Sequence, residues 1–488
     1  MIWLSLLAAL LCIGVTGWGL LTLIGRAGAS WGGLERLALA WGLGCGAVSL
    51  GLFGALVMGL GLAVATAAVA ASGLGMAVIA LWLKRPVLTN DLQSLISAIV
   101  LRPLSSVLTF IRSIRSPHPL TALLSLLVLN IAWVTLVGVA RPLTDWDSWV
   151  TWGMKARAIF VDGGLLPARY FDPSHSVTNV DYPLLIPLGE AWLYQWIGRA
   201  DDQVAVFLFP PFYLALLAVF YSAVRCFASR EASLGFTLLL ATTPRLERLA
   251  GSAFADVPLA FFALVTFVHL RRWMGTRHQG DLILAGVFGG LMGWTKNEGL
   301  LLLALAGLAL VAWTLPRLLW GAESRRALLM AVFGFAGLSA SIIAPWLAYR
   351  AIHHVDSYVF LPPTPALLQA NAGRLLLAAQ ALLIRMFAPT YLVVWNFVWP
   401  LAALALVVTR RRLPTFYWLW VVGGYLLLIS VSYVLSSFDP VSEHIRNSID
   451  RLMAQVVPLV WLGLAEVAVS PLPKPGEGER SKGGETPL

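Results

Sequence analysis

Charge is scarce in this chain: only 12% of its 488 residues are Asp, Glu, Lys or Arg, while 59% are hydrophobic. Together with a positive mean hydropathy, that balance excludes an ordinary soluble domain. Cysteine is rarer still. Cys12, Cys45 and Cys226 lie in apolar segments without metal-ligand spacing, which argues against a disulfide framework and a zinc site. Acidic residues are outnumbered, 24 against 34 Lys and Arg, for a formal net charge of +10. In a soluble protein that excess would suggest nucleic acid; here it reflects basic cytoplasmic loops that orient the chain in a bilayer. The N-terminus lacks a basic n-region, and its apolar run at 2–24 is long for a signal peptide, so it reads as a spanning helix. Neither a repeat period nor a soluble domain is evident.

What the chain does have is apolar runs of about 20 residues, the length that crosses roughly 30 Å of hydrocarbon. The first three cover 2–24, 35–58 and 60–83. A basic segment follows at 84–118, with Arg85, Arg102, Arg112 and Arg115 against Asp91, and it belongs in the cytoplasm. The run 119–140 then delivers a polar, aromatic loop, 142–182, to the outer face. The clusters Arg225/Arg230, Arg271/Arg272/Arg277, Arg317/Arg325/Arg326 and Arg410/Arg411/Arg412 are cytoplasmic only if two apolar segments fail to cross. Those two are 182–197 and 374–387, read as helices at the outer interface. The expected architecture is an all-α polytopic membrane protein of about thirteen transmembrane helices, N-terminus outside and C-terminus inside. Residues 1–118 form the N-terminal helices and basic segment, 119–469 the main transmembrane module, and 470–488 a disordered tail rich in Pro, Gly, Lys and Glu.

This topology gathers polar groups on the outer face. They are the stretch DWDSWVTWGMKAR (Asp145 to Arg157), Asp181-Tyr182-Pro183, Asp256 in FADVP, Lys296-Asn297-Glu298, and HIRNSIDR (His444 to Arg451). Distant segments meeting on one membrane face are the pattern of an active site. On a helix, Asp147, Thr151 and Lys155 form one polar stripe, and Trp149, Trp152 and Ala156 an apolar one. Asp145 and Asp147 then point about 200° apart, so a paired-carboxylate dyad is not expected, and one of them caps the helix. The plain alternative is that both acids only cap and solvate an outer loop.

These motifs, in this order, resemble the GT-C glycosyltransferase superfamily, in particular the dolichyl-phosphate-mannose protein mannosyltransferases and the lipid A aminoarabinose transferases. DWDSW resembles the acidic first outer loop, and DYPLLIP (Asp181 to Pro187) stands where a His-Pro-Pro-Leu segment is common. FADVPLAFF resembles a second acidic site, TKNEGL (Thr295 to Leu300) a lysine-containing turn, and HIRNSIDRLMAQVVPL the late Arg segment before a Pro-containing last helix. The resemblance covers about Leu120 to Leu464. The chain departs from it in its three extra N-terminal helices, in Tyr182-Pro183, and in lacking an adjacent acidic pair in the first loop.

The resemblance implies an inverting transferase that moves a hexosyl or pentosyl unit from a polyprenyl-phosphate carrier to a lipid, glycan or protein acceptor. The site would face the extracytoplasmic side of the inner (cell) membrane. A carboxylate would act as general base on the acceptor hydroxyl, Asp147 first and Asp145 as the alternate. Cations would receive the departing lipid phosphate: Lys296, Arg446 and Arg451, supported by His444 and Lys155. Asp181, Tyr182, Asp256, Glu298 and Trp152 would line the substrate cavity. The plain alternatives make Arg446 and Arg451 lipid-headgroup anchors, Lys296 a turn lysine paired with Glu298, and Asp256 a helix cap. No cofactor is implied, a divalent ion on Asp147 and Asp256 being the alternative. Two other function classes are weighed. A transporter or flippase places its charged groups near the midplane between repeats, and a scaffold has no need of acids and bases gathered from distant loops.

Overall fold

A computed structural model of the chain describes residues 2–25, 31–83, 119–141, 143, 145–171, 179–321, 323–357, 359–409 and 413–469. The basic segment 84–118, the cluster Arg410–Arg412 and the tail 470–488 lie outside the described residues, so their expected placement is not addressed. Among the described residues the elements are helical, apart from one bridge between Phe360 and Ser436. The N-terminal helices are α1 (Ile2–Ile24), α2 (Gly33–Val57) and α3 (Leu62–Leu83), followed by α4 (Pro119–Ala140). The next loop holds a π-helical turn (Asp147–Gly153), α5 (Met154–Val161) and α6 (Pro167–Tyr170), and leads to α7 (Leu185–Ile197). Next come α8 (Asp202–Ala205), a 3-10 turn (Val206–Leu208), α9 (Pro210–Val224), α10 (Arg230–Ala241) and α11 (Pro244–Ala250). The middle of the chain is α12 (Asp256–Thr276), α13 (Gln279–Thr295), α14 (Glu298–Trp320) and α15 (Arg325–Ile352). The last third is α16 (Pro365–Ala370), α17 (Arg374–Phe387), α18 (Pro389–Val394), α19 (Val398–Thr409), α20 (Leu413–Val434), α21 (Val441–Ala454) and α22 (Val457–Val469).

Among the described residues 8 helical columns are long and apolar enough to cross a membrane, and α21 with α22, bent by 45°, brings the number to 9. Two shorter apolar stretches among the described residues, Val398–Val408 in α19 and Trp420–Val434 in α20, stand beside these, short of the thirteen crossings expected from sequence. The two segments expected not to cross, α7 and α17, have 13 and 14 residues. At about 1.5 Å per residue neither covers roughly 30 Å of hydrocarbon.

Burial shows where the helices stand. In α12 83% of the apolar window is buried, against 17% in α4, which presents Leu126, Leu129, Trp133 and Leu136 outward. So α12 is the central post, and α4 faces lipid. The N-terminal helices pack closely: a Cβ on Gly17 would meet the Ala40 carbonyl oxygen at 1.7 Å, and one on Gly44 that of Ile13 at 2.0 Å. Such small residues let α1 and α2 touch backbone to backbone, the usual solution where lipid removes the hydrophobic drive between helices.

One end of α12 ties these helices to the rest. His269 Nδ1 lies 2.7 Å from Asp281 Oδ1, Trp31 Nε1 donates to the same oxygen at 3.2 Å, and Arg272 pairs with Glu35. The opposite end of α12 begins at Asp256, about 24 Å from Arg272 at 1.5 Å per residue. Two polar clusters at that separation match the two faces of a bilayer core.

Candidate active site

Asp256 opens α12 and Glu298 opens α14, while Lys296 sits just past the end of α13. Each charge matches its helix end, since an N-terminus favours an anion and a C-terminus a cation. The three meet. Lys296 Nζ lies 3.0 Å from Asp256 Oδ1 and 2.9 Å from Glu298 Oε1. From α21, Arg451 reaches two carboxylates, with Nη2 at 2.5 Å from Asp147 Oδ2 and Nε at 3.2 Å from Asp256 Oδ2. Gln455 Nε2 donates to Asp256 Oδ1 at 2.5 Å, and Tyr425 donates to Gln455. Asp147, Asp256, Lys296, Glu298 and Arg451, read from four separate motifs, are therefore one ionic cluster. Asp256 is its hub rather than a helix cap.

Beside this cluster is a pocket of about 340 Å³, lined by Asp145, Asp147, Arg245, Arg248, Asn447 and Arg451. The two acids of the DWD motif share it, contrary to the geometry expected of a regular α-helix. The reason is local: Asp147–Gly153 is wound as a π-helix, and Asp145 precedes it as a bend. Neither carboxylate caps that turn. Instead the Asp145 carbonyl accepts from Ser148 Oγ at 2.7 Å and from the Trp149 amide at 3.1 Å. The expected stripes shift as well, because Trp152, Ala156 and Thr151 are buried while Trp149 is 49% exposed.

Arg245 and Arg248 were not expected in the site. They sit on α11, directly after the apolar stretch of α10. Pro244 opens a new helix after Thr243, so PRLER turns its arginines toward the pocket. Arg245 pairs with Asp450, which Arg385 also binds at 3.2 Å, and Arg245 Nε is buried without a partner. A proline after two threonines, with charges at once behind it, was the available signal.

Other expected residues lie apart. Arg446 is exposed and only 3.7 Å from Glu443, away from the cluster. His444 Nδ1 lies 2.8 Å from Ser436 Oγ and its ring packs on Tyr433 and Phe438, so it presents nothing to the pocket. Ser448 bonds Tyr433, while Asn447 and Arg451 line the pocket. Lys296 does pair with Glu298, and with Asp256 besides. Burial would lower its pKa, but Asp256 and Glu298 outweigh burial and raise it.

Tyr182 forms the wall behind. Its ring stacks on Trp152 at 5.7 Å, with Lys155 Nζ 5.9 Å and Lys296 Nζ 6.0 Å from its centroid. Asp181 Oδ2 accepts from Asn297 Nδ2 at 2.8 Å. Lys155 donates to the Asn179 carbonyl and is buried. Burial pulls its pKa from 10.5 down to about 7, with Asp181 and Asp147 opposing. Between about pH 7 and 10.5 the unfolded chain therefore binds a proton that the folded chain has shed, so stability rises with pH across that window. Thermal unfolding in detergent is expected to shift upward from pH 7 to 9 in the wild type and to flatten in Lys155→Met. An equal slope in both would show that Lys155 does not titrate there. Among the described residues no three His, Cys, Asp or Glu side chains are placed to share a metal ion.

Comparison with known proteins agrees in kind with the motifs. Residues 197–361 match the family model of dolichyl-phosphate-mannose-protein mannosyltransferase. Among solved structures the chain is similar to ArnT from Cupriavidus metallidurans, both in the apo state and bound to undecaprenyl phosphate. Identity is 17% and the TM-score 0.49 for each, over 71% of this chain and 59% or 60% of that one. An oligosaccharyltransferase from Archaeoglobus fulgidus, in complex with zinc and sulfate, matches at 15% identity and TM-score 0.31, over 72% of this chain and 54% of that one. The chain thus spans less than two thirds of the length of each of these structures. No curated protein matches it.

Proposed function

We propose that the chain is an integral-membrane glycosyltransferase that moves a sugar from a polyprenyl-phosphate donor to an acceptor hydroxyl, with inversion, on the extracytoplasmic face. One observation carries the reading: a single pocket sets two carboxylates, Asp145 and Asp147, against three arginines, Arg245, Arg248 and Arg451. The chemistry of such a transfer needs both kinds. Asp147 takes the proton of the acceptor hydroxyl as its oxygen attacks the anomeric carbon. The bond from that carbon to the phosphate oxygen breaks, its electron pair stays on the lipid phosphate, and the arginines hold the added charge.

Arg451 has two anions to serve. Without donor it binds Asp147. A phosphate in the pocket competes for the same guanidinium, which frees the Asp147 carboxylate to meet the acceptor hydroxyl. Lys296, enclosed by Asp256 and Glu298, holds the floor in place rather than meeting the phosphate. No cofactor is part of this reading.

The test is transfer of radiolabelled sugar by the purified protein from a polyprenyl-phosphate sugar. Arg245→Ala should lower kcat/KM for that donor about 10- to 150-fold, the value of one hydrogen bond to a charged partner. The fold should survive, because Asp450 keeps Arg385. Wild-type rates in that variant would remove Arg245 from the site, and robust transfer from a soluble nucleotide sugar would remove the lipid donor.

A further inference from the structure

Arg245 lines the polar pocket, and it is tied to two charged side chains outside the pocket lining, Asp450 and Arg385. The Asp450 carboxylate is divided between the two arginines. Its Oδ2 pairs with Nη2 of Arg245, and its Oδ1 lies 3.2 Å from Nε of Arg385. We propose that Arg385 is a positioning residue for the donor: by holding one oxygen of Asp450, it keeps Arg245 available to an anion in the pocket. The proposal rests on the lipid-donor reading above.

The pattern of α17 places Arg385 there. Leu376, Leu383 and Phe387 are exposed on one side of the helix, while Ala378, Leu382 and Arg385, at i, i+4 and i+7, share the packed side. A charge on the packed side of an amphipathic helix is costly unless an anion meets it. Asp450 supplies that anion from α21. The guanidinium carbon of Arg385 also lies 4.9 Å from the centre of the Tyr391 ring, which steadies the group from α18. Both partners of the pair are largely buried, with side chains 14% and 12% exposed, so salt screens it little.

One carboxylate meets two guanidiniums here, which leaves one positive charge of the triplet uncompensated beside the pocket. Arg245 Nε is buried without a partner. Arg451, by contrast, already meets two carboxylates, Asp147 and Asp256. Removing Arg385 would end the surplus. Asp450 would then have both oxygens for Arg245, the forked geometry in which arginine and carboxylate pair most strongly. The pair would be neutral, and a phosphate would have to displace Asp450 instead of completing an unfilled set of donors.

The experiment is transfer from a polyprenyl-phosphate sugar, read as the KM for that donor against kcat. Arg385→Gln should raise the donor KM about tenfold and lower kcat far less, the low end for losing one hydrogen bond to a charged partner. Arg385→Gln/Asp450→Asn should restore most of that loss, because a neutral side chain no longer withdraws Arg245. Asp450→Asn alone should leave the KM at or below the wild-type value, and it decides the matter where Arg385→Gln is not recovered in the membrane. Three results overturn the proposal: an unchanged KM in Arg385→Gln, a raised KM that the double variant does not restore, and a raised KM in Asp450→Asn. The second is what a merely structural Arg385 would give. Wild-type protein that transfers nothing from a polyprenyl-phosphate sugar would instead overturn the lipid-donor reading itself, and this proposal with it.

Discussion

Asp147→Asn is expected to give a folded, membrane-inserted protein whose transfer is about 10²–10⁴-fold slower, the usual cost of losing a positioned general base. The substitution keeps the shape of the side chain and an oxygen for Arg451, so it isolates proton transfer from packing. Asp145→Asn should cost less. Both acids line the pocket, but only Asp147 is fixed there by a guanidinium, at 2.5 Å. A dead Asp145→Asn beside an active Asp147→Asn would exchange their roles, and two active variants would reduce the loop to structure. Rates should be read against protein recovered in the membrane fraction.

Arg451→Met should have the largest combined effect. Arg451 joins carboxylates 304 and 195 positions away in sequence, and its side chain is 19% exposed. Breaking a buried pair costs about 3–5 kcal/mol, and partial exposure reduces that. Asp256 keeps Lys296 and Gln455, which limits the damage on its side. Asp147 loses its ionic partner. The expected result is a lower unfolding temperature in detergent together with loss of lipid-donor use. Arg451→Lys should recover much of the stability and little of the activity, because an ammonium cannot span both carboxylates and a phosphate with a planar fork. Full activity in Arg451→Lys would mean that a point charge suffices at this position.

The sequence was most informative where long-range physics leaves a local trace. Apolar run length set the membrane class, and the short, Pro-containing or Arg-containing runs marked α7 and α17 as helices too short to cross. Charges that survive in an apolar chain without serving as cytoplasmic anchors picked out Asp147, Asp256, Lys296, Glu298 and Arg451, which do converge. What stayed hidden depended on geometry within a segment. A π-helical turn changes which side chains share a face, so the stripe built on regular helix spacing misplaced Asp145 relative to Asp147. Arg245 and Arg248 were not singled out, and they reach the pocket because Pro244 begins a separate short helix. Arg446 and Arg451 are five apart, and that spacing sends one to solvent and the other to the cluster. Gln455 had no charge to draw attention, yet it holds Asp256 in place.

The most direct measurement is a density map of the protein in a lipid bilayer mimic with a polyprenyl phosphate added. The account predicts phosphate density in the pocket beside Asp147, within about 3 Å of guanidinium nitrogens of Arg451 and Arg245. Phosphate resolved at Arg446 and His444 instead, with the Arg451–Asp147 pair intact and the pocket empty, would contradict it.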